Sequence, residues 1–242
     1  MNRSLPFAGR EALSAQLYGL AAERRCVVLM GAEGVGKTAL LQRVRQLASV
    51  LYCEVSSSLG TICDGLESEL GLVKGRLVVA ERRRRLAARL LDRGEPVIFD
   101  HVAKAPPHVS SFLFGLIEHG LPVWIACRSD RIADLGRHLW QYLVDFKRVE
   151  VPALTAAESR LFIDAAARAG HIQPDAHAHA VQLHHLSQGN PRHLEGLLGE
   201  LAAREYKMDA AFGRHLIELD RRIHDLTAEN AAILDREAPL ER

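Results

Sequence analysis

The sequence lacks the features that mark membrane, zinc-ribbon and secreted proteins. Its four cysteines form no CxxC pair, which argues against a zinc ribbon or a redox motif. No apolar run approaches the roughly 20 residues that span a bilayer, and the first twelve residues contain no apolar h-region. We therefore expect no membrane contact and no signal peptide, and we predict a protein of the reducing, cytoplasmic compartment.

The sequence also has little net charge and no repeats or low-complexity segments. Its 31 basic and 30 acidic residues leave a formal charge of +1, so only a local patch could attract nucleic acid or an anionic surface. At 242 residues, of which 48% are hydrophobic, the chain can bury a core. Its length fits one domain, or one domain with a small lid.

Short apolar runs alternate with helical patterns as far as residue 152. Each run is nearly continuous in Val, Ile, Leu, Phe or Cys, which is typical of a strand buried on both faces. The runs begin at Arg25, Val50, Pro96, Leu121 and Phe146. Alternation of this kind predicts an α/β fold with a parallel sheet and right-handed crossovers.

The pattern becomes wholly helical after Pro152. Thr155 and Glu158 have the spacing of a capping box, and Gly170 ends the helix that they begin. We predict an α/β domain over residues 1–152, a helical lid over 153–208 and a helical extension over 209–242. Apolar residues at helical spacing in the extension predict a surface that packs on the lid or on another chain.

Residues 31–38, GAEGVGKT, match the phosphate-loop pattern GxxxxGK[ST]. An apolar strand pattern precedes the loop and an apolar helix pattern follows it, which is the arrangement that the chemistry requires. Glycines let backbone N–H groups surround a phosphate, and the helix N-terminus adds a partial positive charge. We therefore predict binding of ATP or ADP with Mg²⁺. The loop residues expected to contact the nucleotide are Gly31, Ala32, Glu33, Gly34, Val35, Gly36, Lys37, Thr38 and Ala39.

Two polar residues end the apolar run PVIFDH and complete the predicted site. Asp100 supplies the carboxylate expected beside Thr38 on the Mg²⁺ side, while Lys37 reaches the β- and γ-phosphates. His101 stands where many such ATPases carry an acid that orients the attacking water. Histidine can accept a proton near neutral pH, or it can be a packing or hydrogen-bonding residue in a site that hydrolyses poorly. Both interpretations stay open here.

Further motifs appear in an order that resembles the AAA+/STAND superfamily of ATPases over about residues 5–205. LPFAGREALSAQL resembles its N-terminal FxGRExEL box, and SQGNPRHLEGLL resembles its second-sensor motif. The resemblance implies adenine contacts by Phe7, Ala8, Gly9 and Pro191. It also implies that Arg128, at the end of IACR, and Arg192 act as phosphate sensors. The catalytic set would then be Lys37, Asp100, His101, Arg128 and Arg192.

This sequence departs from the superfamily at His101 and in having no long repeat or effector region. Its size is closer to compact bacterial AAA+ proteins, including those that assist transposition. We expect a nucleotide-dependent switch that hydrolyses ATP slowly when isolated and that recruits a protein partner or self-associates. The alternative is a DNA-associated ATPase of transposition or replication. Its DNA contacts would come from the basic stretch Arg82, Arg83, Arg84, Arg85, Arg89 and Arg93.

Two weaker groups of residues complete the sequence evidence. By analogy with oligomeric AAA+ proteins, Arg131, Arg137 and Arg148 are candidates for an arginine finger that acts on a neighbouring subunit, and the sequence does not choose among them. His177, His179, His184 and His185 lack the i,i+4 spacing of a helical metal site, so we expect solvated or packing roles for them.

Overall fold

The computed structural model describes residues 7–72, 77–172 and 179–204. Within these ranges five parallel strands form one sheet in the order β2-β3-β4-β1-β5. The strands are β1 (Val27–Met30), β2 (Leu51–Cys53), β3 (Val97–Phe99), β4 (Val123–Cys127) and β5 (Lys147–Glu150). The predicted α/β fold with a parallel sheet and C-terminal helices is confirmed.

The described residues form ten helices, of which α1 precedes the first strand and the others connect or follow the strands. The first five are α1 (Glu11–Ala22), α2 (Lys37–Leu47), α3 (Leu59–Glu69), α4 (Val79–Arg93) and α5 (Pro107–Glu118). Two short helices, α6 (Ile132–Leu135) and α7 (Arg137–Trp140), precede β5. The chain then forms α8 (Ala156–Arg168), α9 (Ala180–Ser187) and α10 (Pro191–Arg204).

The sheet has an apolar core on each face because successive strand residues point to opposite sides. Val28 packs with Phe99 and the apolar residues of α3, α4 and α5. Val27 and Leu29 pack on the other face with α1 and α2. The first turn of α2 is thereby fixed beside the carboxyl ends of the strands, where parallel α/β folds place ligands.

The edge strand β5 differs from the prediction that every apolar run is buried on both faces. Val149 is buried, whereas Lys147, Arg148 and Glu150 are exposed. The reason is its position, since within the described part of the chain β5 pairs only with β1 and is the last strand of the sheet. Charged side chains on an edge strand hinder pairing with another sheet.

The chain divides into two compact units, of which Arg10–Ala153 form the first. The second contains residues 7–9 and the described residues from Leu154 onward, with Gly9 against Glu158 of α8. The predicted capping box is present there, because Glu158 N donates to Thr155 Oγ1 at 3.2 Å and Thr155 N to Glu158 Oε2 at 2.8 Å. The boundaries at residues 152 and 208 stay a prediction, and the extension 209–242 lies outside the described residues.

Among the described residues, no helix combines the length and the apolar character that crossing a bilayer requires.

Candidate functional site

The loop between β1 and α2 has the backbone shape that a phosphate loop requires. Gly36, the N-cap of α2, has φ 90°, a conformation that residues with a side chain seldom adopt. Gly31 lies so close to the chain after β5 that a Cβ atom would stand 2.7 Å from the Val151 carbonyl oxygen. No side chain caps α2 and its first turn contains no acid, so its amide groups can serve an anion.

Lys37 is the first residue of α2, and its side chain lies across the loop. Its Nζ donates to the carbonyl oxygen of Gly31 at 2.7 Å and to that of Ala32 at 3.0 Å. Burial lowers the pKa of Lys37, and the nearby charge of Asp100 opposes that effect. An anionic ligand on the loop would favour the charged ammonium in the same way.

Thr38 and Asp100 come together beside the loop, as the sequence predicted. Thr38 Oγ1 donates to Asp100 Oδ2 at 2.7 Å, and the Asp100 side chain is 1% exposed. The backbone N–H of His101 donates to the other oxygen, Oδ1, at 2.8 Å. A buried carboxylate needs such donors, because its charge has lost most of its hydration.

Tyr52 of β2 is a site residue that sequence reasoning missed. Its hydroxyl donates to Asp100 Oδ2 at 2.8 Å, and the residue is 5% exposed. Burial raises the pKa of the Tyr52 phenol, and the charge and hydrogen bond of Asp100 raise it further, so the phenol keeps its proton and stays a donor. The available signal was the phenol hydroxyl of Tyr52 within the apolar residues VLYC, because buried tyrosine hydroxyls usually find a partner.

His101 stands next to the predicted metal ligands and is largely exposed. Its Nε2 is 3.4 Å from Thr38 Oγ1 and 3.7 Å from Asp100 Oδ2, and 65% of its side chain is accessible. Its φ is 53°, in the left-handed region that histidine enters more readily than most residues. The imidazole therefore borders the site and also reaches solvent.

Arg128 follows β4 directly, and its carbonyl oxygen accepts from Gly31 N at 3.2 Å. Its side chain is exposed, and its charge contributes to the lowered pKa of Lys37. The three candidate finger arginines differ in their surroundings. All three are exposed, and Arg148 also pairs with Asp130 at 3.1 Å.

Solved structures that resemble this chain include the following three proteins. Cdc6p from Pyrobaculum aerophilum gives a TM-score of 0.66 at 17% identity over 84% of this chain and 64% of that one. The Orc1 protein of Aeropyrum pernix, solved in complex with DNA, gives 0.64 at 20% identity over 98% and 70%. A Walker-type ATPase of Pyrococcus abyssi gives 0.65 at 16% identity over 96% and 77%. This chain thus spans less than two thirds of the first of these proteins.

The chain has the AAA+ P-loop ATPase fold. The strand order of the sheet and the helices that follow it agree with this assignment. No protein-family model matches the sequence, and no curated protein matches it either. The AAA+ fold was therefore recognisable from motifs in the correct order, although sequence similarity to its members is low.

The oxygen atoms of the Thr38 and Asp100 side chains are suited to binding the Mg²⁺ of a nucleotide. A hydroxyl and a buried carboxylate meet at the N-terminus of α2, and oxygen ligands of these types are the ones that Mg²⁺ prefers. The loop adds uncapped amide groups and the ammonium of Lys37 for the phosphates. Glu33 of the loop and Ala39 of α2 are exposed, whereas Val35 of the loop is buried.

The remaining predicted contacts lie in the helical unit of the AAA+ fold. Pro191 begins α10, and Arg192 follows it in the first turn with an exposed side chain. Asn190 Oδ1 accepts from Arg192 N at 3.0 Å, which fixes the start of the helix. Phe7 is 37% exposed and Gly9 is buried. The roles of Phe7, Ala8, Gly9, Pro191 and Arg192 toward adenine or phosphate stay predictions.

The basic stretch on α4 is partly neutralised within the fold. Arg82 pairs with Glu67 at 2.6 Å and with Asp64 at 2.7 Å, and Arg93 pairs with Glu95 at 2.9 Å. Arg89 and Asp92 are 3.9 Å apart, so their contact is weak. Within the described ranges, the arginines of the stretch that form no ion pair are Arg83, Arg84 and Arg85.

Two of the histidines in the helical unit, His184 and His185, have ring centroids 5.9 Å apart. His184 Nδ1 lies 2.9 Å from Ser159 Oγ and thus helps to join α9 to α8, while His185 is exposed. His177 lies outside the described residues.

Proposed function

We propose that this protein binds ATP with Mg²⁺ and acts as a nucleotide-dependent switch that hydrolyses ATP slowly when isolated. The observation that carries the proposal is the hydrogen bond from Thr38 to the buried Asp100 at the N-terminus of α2. A hydroxyl and a carboxylate meet there beside a lysine and a row of uncapped amides. That combination suits a phosphate chain together with a divalent cation.

Each group has a separate task in this proposal. The amides of residues 31–38 and the Lys37 ammonium hold the phosphates, while Thr38 and Asp100 hold the cation. Lys37 would replace its hydrogen bonds to two loop carbonyl oxygens by hydrogen bonds to phosphate oxygens. A charged phosphate oxygen binds the ammonium more strongly than a neutral carbonyl oxygen does. Bound Mg²⁺ would neutralise phosphate charge and fix the phosphate geometry.

Slow hydrolysis is proposed because of the side chain beside Asp100. Phosphoryl transfer relies on positioned charge and on a group that orients the attacking water. His101 occupies the usual place of the acid, and its Nε2 faces Thr38 Oγ1 at 3.4 Å. An imidazole turned toward a cation ligand is a poor water-orienting group, because it cannot supply the negative charge of a carboxylate.

The switch is proposed to depend on arginines from both units. Arg128 follows β4 beside the loop, and Arg192 begins the helix α10 of the other unit. Side chains that bind a γ-phosphate favour one of two conformational states when ATP is present, which is how a ligand shifts a two-state element. A protein partner or a second copy of the chain would then recognise that state.

The direct test is equilibrium ATP binding in excess Mg²⁺ and in EDTA. Wild-type protein should bind ATP more tightly with Mg²⁺, and Thr38→Ala should lose that gain while keeping affinity in EDTA. Ser111→Ala removes an exposed hydroxyl on α5 and serves as the matched control. A wild-type protein that binds ATP equally with and without Mg²⁺, or not at all, would refute the proposed function.

DNA association is a second candidate, supported by Arg83, Arg84 and Arg85. These side chains form no ion pair in the described part of the chain, so their charges are available to phosphates. The Orc1 protein that resembles this chain was solved with DNA. Binding to duplex DNA that weakens steeply with salt and changes with ATP would support this function, and salt-independent or absent binding would exclude it.

A further inference from the structure

We propose that Tyr52 is a positioning residue that holds the Asp100 carboxylate in the orientation needed for Mg²⁺. This inference rests on the proposed function and adds a group that phosphate-loop motifs do not contain. Tyr52 Oη donates to Asp100 Oδ2 at 2.8 Å, although 48 residues separate the two in sequence. Tyr52 acts through Asp100 and would not itself contact the nucleotide.

The sheet register explains why these side chains meet. Tyr52 pairs with Ile98 in neighbouring parallel strands, and Asp100 N donates to the Cys53 carbonyl oxygen at 2.9 Å. Tyr52 and Ile98 belong to the core on the α2 face, while Cys53 and Phe99 belong to the opposite core. Residues two apart in a strand share a face, so Asp100 continues the α2 face and meets the phenol there.

The Asp100 carboxylate is held from two sides. Thr38 and Tyr52 both donate to Oδ2, the first from α2 and the second from β2. In the proposed function, Thr38 would direct its hydroxyl oxygen toward the cation. Tyr52 is then the side chain that keeps the Asp100 carboxylate from rotating, because its buried hydroxyl continues to donate to Oδ2.

The Tyr52 ring is itself fixed by neighbouring elements. The guanidinium of Arg45 lies 5.7 Å from the ring centroid, and Arg45 pairs with Glu69 of α3 at 2.6 Å. Thr38 and Arg45 are seven residues apart on α2 and so lie on the same side of that helix. One helix face thus contacts the carboxylate at its first turn and the phenol ring near its last.

The experiment compares wild-type protein, Tyr52→Phe and Tyr18→Phe by ATP titration in excess Mg²⁺ and in EDTA. Tyr52→Phe removes one oxygen and keeps the ring, while Tyr18→Phe makes the same change at an exposed site on α1. Loss of groups that orient metal ligands typically costs about 10–100-fold in metal affinity. We expect the Mg²⁺-dependent gain in ATP affinity to fall by about tenfold in Tyr52→Phe. Affinity in EDTA should be unchanged, and Tyr18→Phe should match wild type.

The possible outcomes separate the inference from the proposed function. Wild-type protein without any Mg²⁺-dependent ATP binding would overturn both. Mg²⁺-dependent binding that is equal in wild type and Tyr52→Phe would overturn the positioning role only. Equal losses of affinity in Mg²⁺ and in EDTA would show a merely structural tyrosine, and would overturn the positioning role as well.

A double variant keeps the test decisive if Tyr52→Phe is less stable than wild type. Asp100→Asn should weaken the Mg²⁺-dependent gain by itself. If Tyr52 acts through Asp100, adding Tyr52→Phe to Asp100→Asn should weaken it no further, because coupled residues are not additive. Additive losses in the double variant would contradict the positioning role.

Discussion

Thr38 Oγ1 and Asp100 Oδ2 are 2.7 Å apart although 62 residues separate them in sequence. One belongs to the first turn of α2 and the other follows β3. The sheet order explains the contact. β3 and β1 lie on either side of β4 and run parallel to it, so the carboxyl ends of β3 and β1 lie at the same edge of the sheet. The topology of the sheet therefore brings together the two residues that we propose as cation ligands.

His101→Glu should accelerate ATP hydrolysis. A carboxylate beside Asp100 would supply a water-orienting acceptor, and groups of this kind typically contribute about 10²–10⁴-fold. We expect a partial gain of about tenfold over wild type, measured as phosphate release per site at several protein concentrations. The concentration series detects any finger arginine that a second subunit would supply.

The control for this prediction is His101→Asn. His101 has φ 53°, and asparagine tolerates that conformation without adding a charge. Hydrolysis in His101→Asn should stay as slow as in wild type. Fast wild-type turnover that collapses in both variants would instead identify His101 as the working base.

Arg192→Ala should weaken ATP binding more than ADP binding. An arginine that binds only the γ-phosphate contributes to the affinity for ATP but not to the affinity for ADP. Hydrogen bonds to charged groups contribute about 1.5–3 kcal/mol. The measurement is the ratio of ATP and ADP dissociation constants. Arg160→Ala, at an exposed position of α8 in the same unit, should leave the ratio unchanged. Equal losses for both nucleotides in Arg192→Ala would exclude a sensor role.

Glu67→Gln should lower the free energy of unfolding by about 1–3 kcal/mol, because Arg82 would lose its buried acidic partner. The Glu67 side chain is 4% exposed and accepts three hydrogen bonds from Arg82 at 2.6–3.2 Å. Asp64→Asn removes the other acidic partner of Arg82, a side chain that is 54% exposed. This change should lower the free energy of unfolding by less than Glu67→Gln does. Urea unfolding of both variants measures the difference, and equal costs would refute the assignment.

Local patterns were enough to predict most of the sheet and the meeting of Thr38 with Asp100 in the candidate site. Lys37, Thr38 and Asp100 lie in short motifs in which the spacing of the residues indicates the chemistry of the site. Each apolar run forms a strand. The exposure of β5 was not predictable, because it depends on which strand is the outermost one in the sheet. Tyr52 was missed for a related reason: its partner Asp100 is set by the pairing of β2 with β3, which no local pattern records.

The basic stretch shows the same limit of sequence reasoning. Six arginines on α4 resemble a surface for phosphates, yet Arg82 pairs with acids of α3 and Arg93 pairs with Glu95, which follows the end of α4. Helical periodicity indicates which residues share a face of α4. It does not indicate that Asp64 and Glu67 of α3 lie opposite that face.

The central claim, that residues 31–38 bind ATP phosphates, is tested most directly by equilibrium ATP binding to wild-type protein, Lys37→Ala and Lys147→Ala. Lys37 donates to two loop carbonyls and would transfer those bonds to phosphate, whereas Lys147 is an exposed lysine of the edge strand β5. We predict tight binding by wild type and Lys147→Ala, and a loss of about a hundredfold or more in Lys37→Ala, as expected when charged hydrogen bonds are removed. A folded Lys37→Ala protein that binds ATP as tightly as wild type would contradict the account.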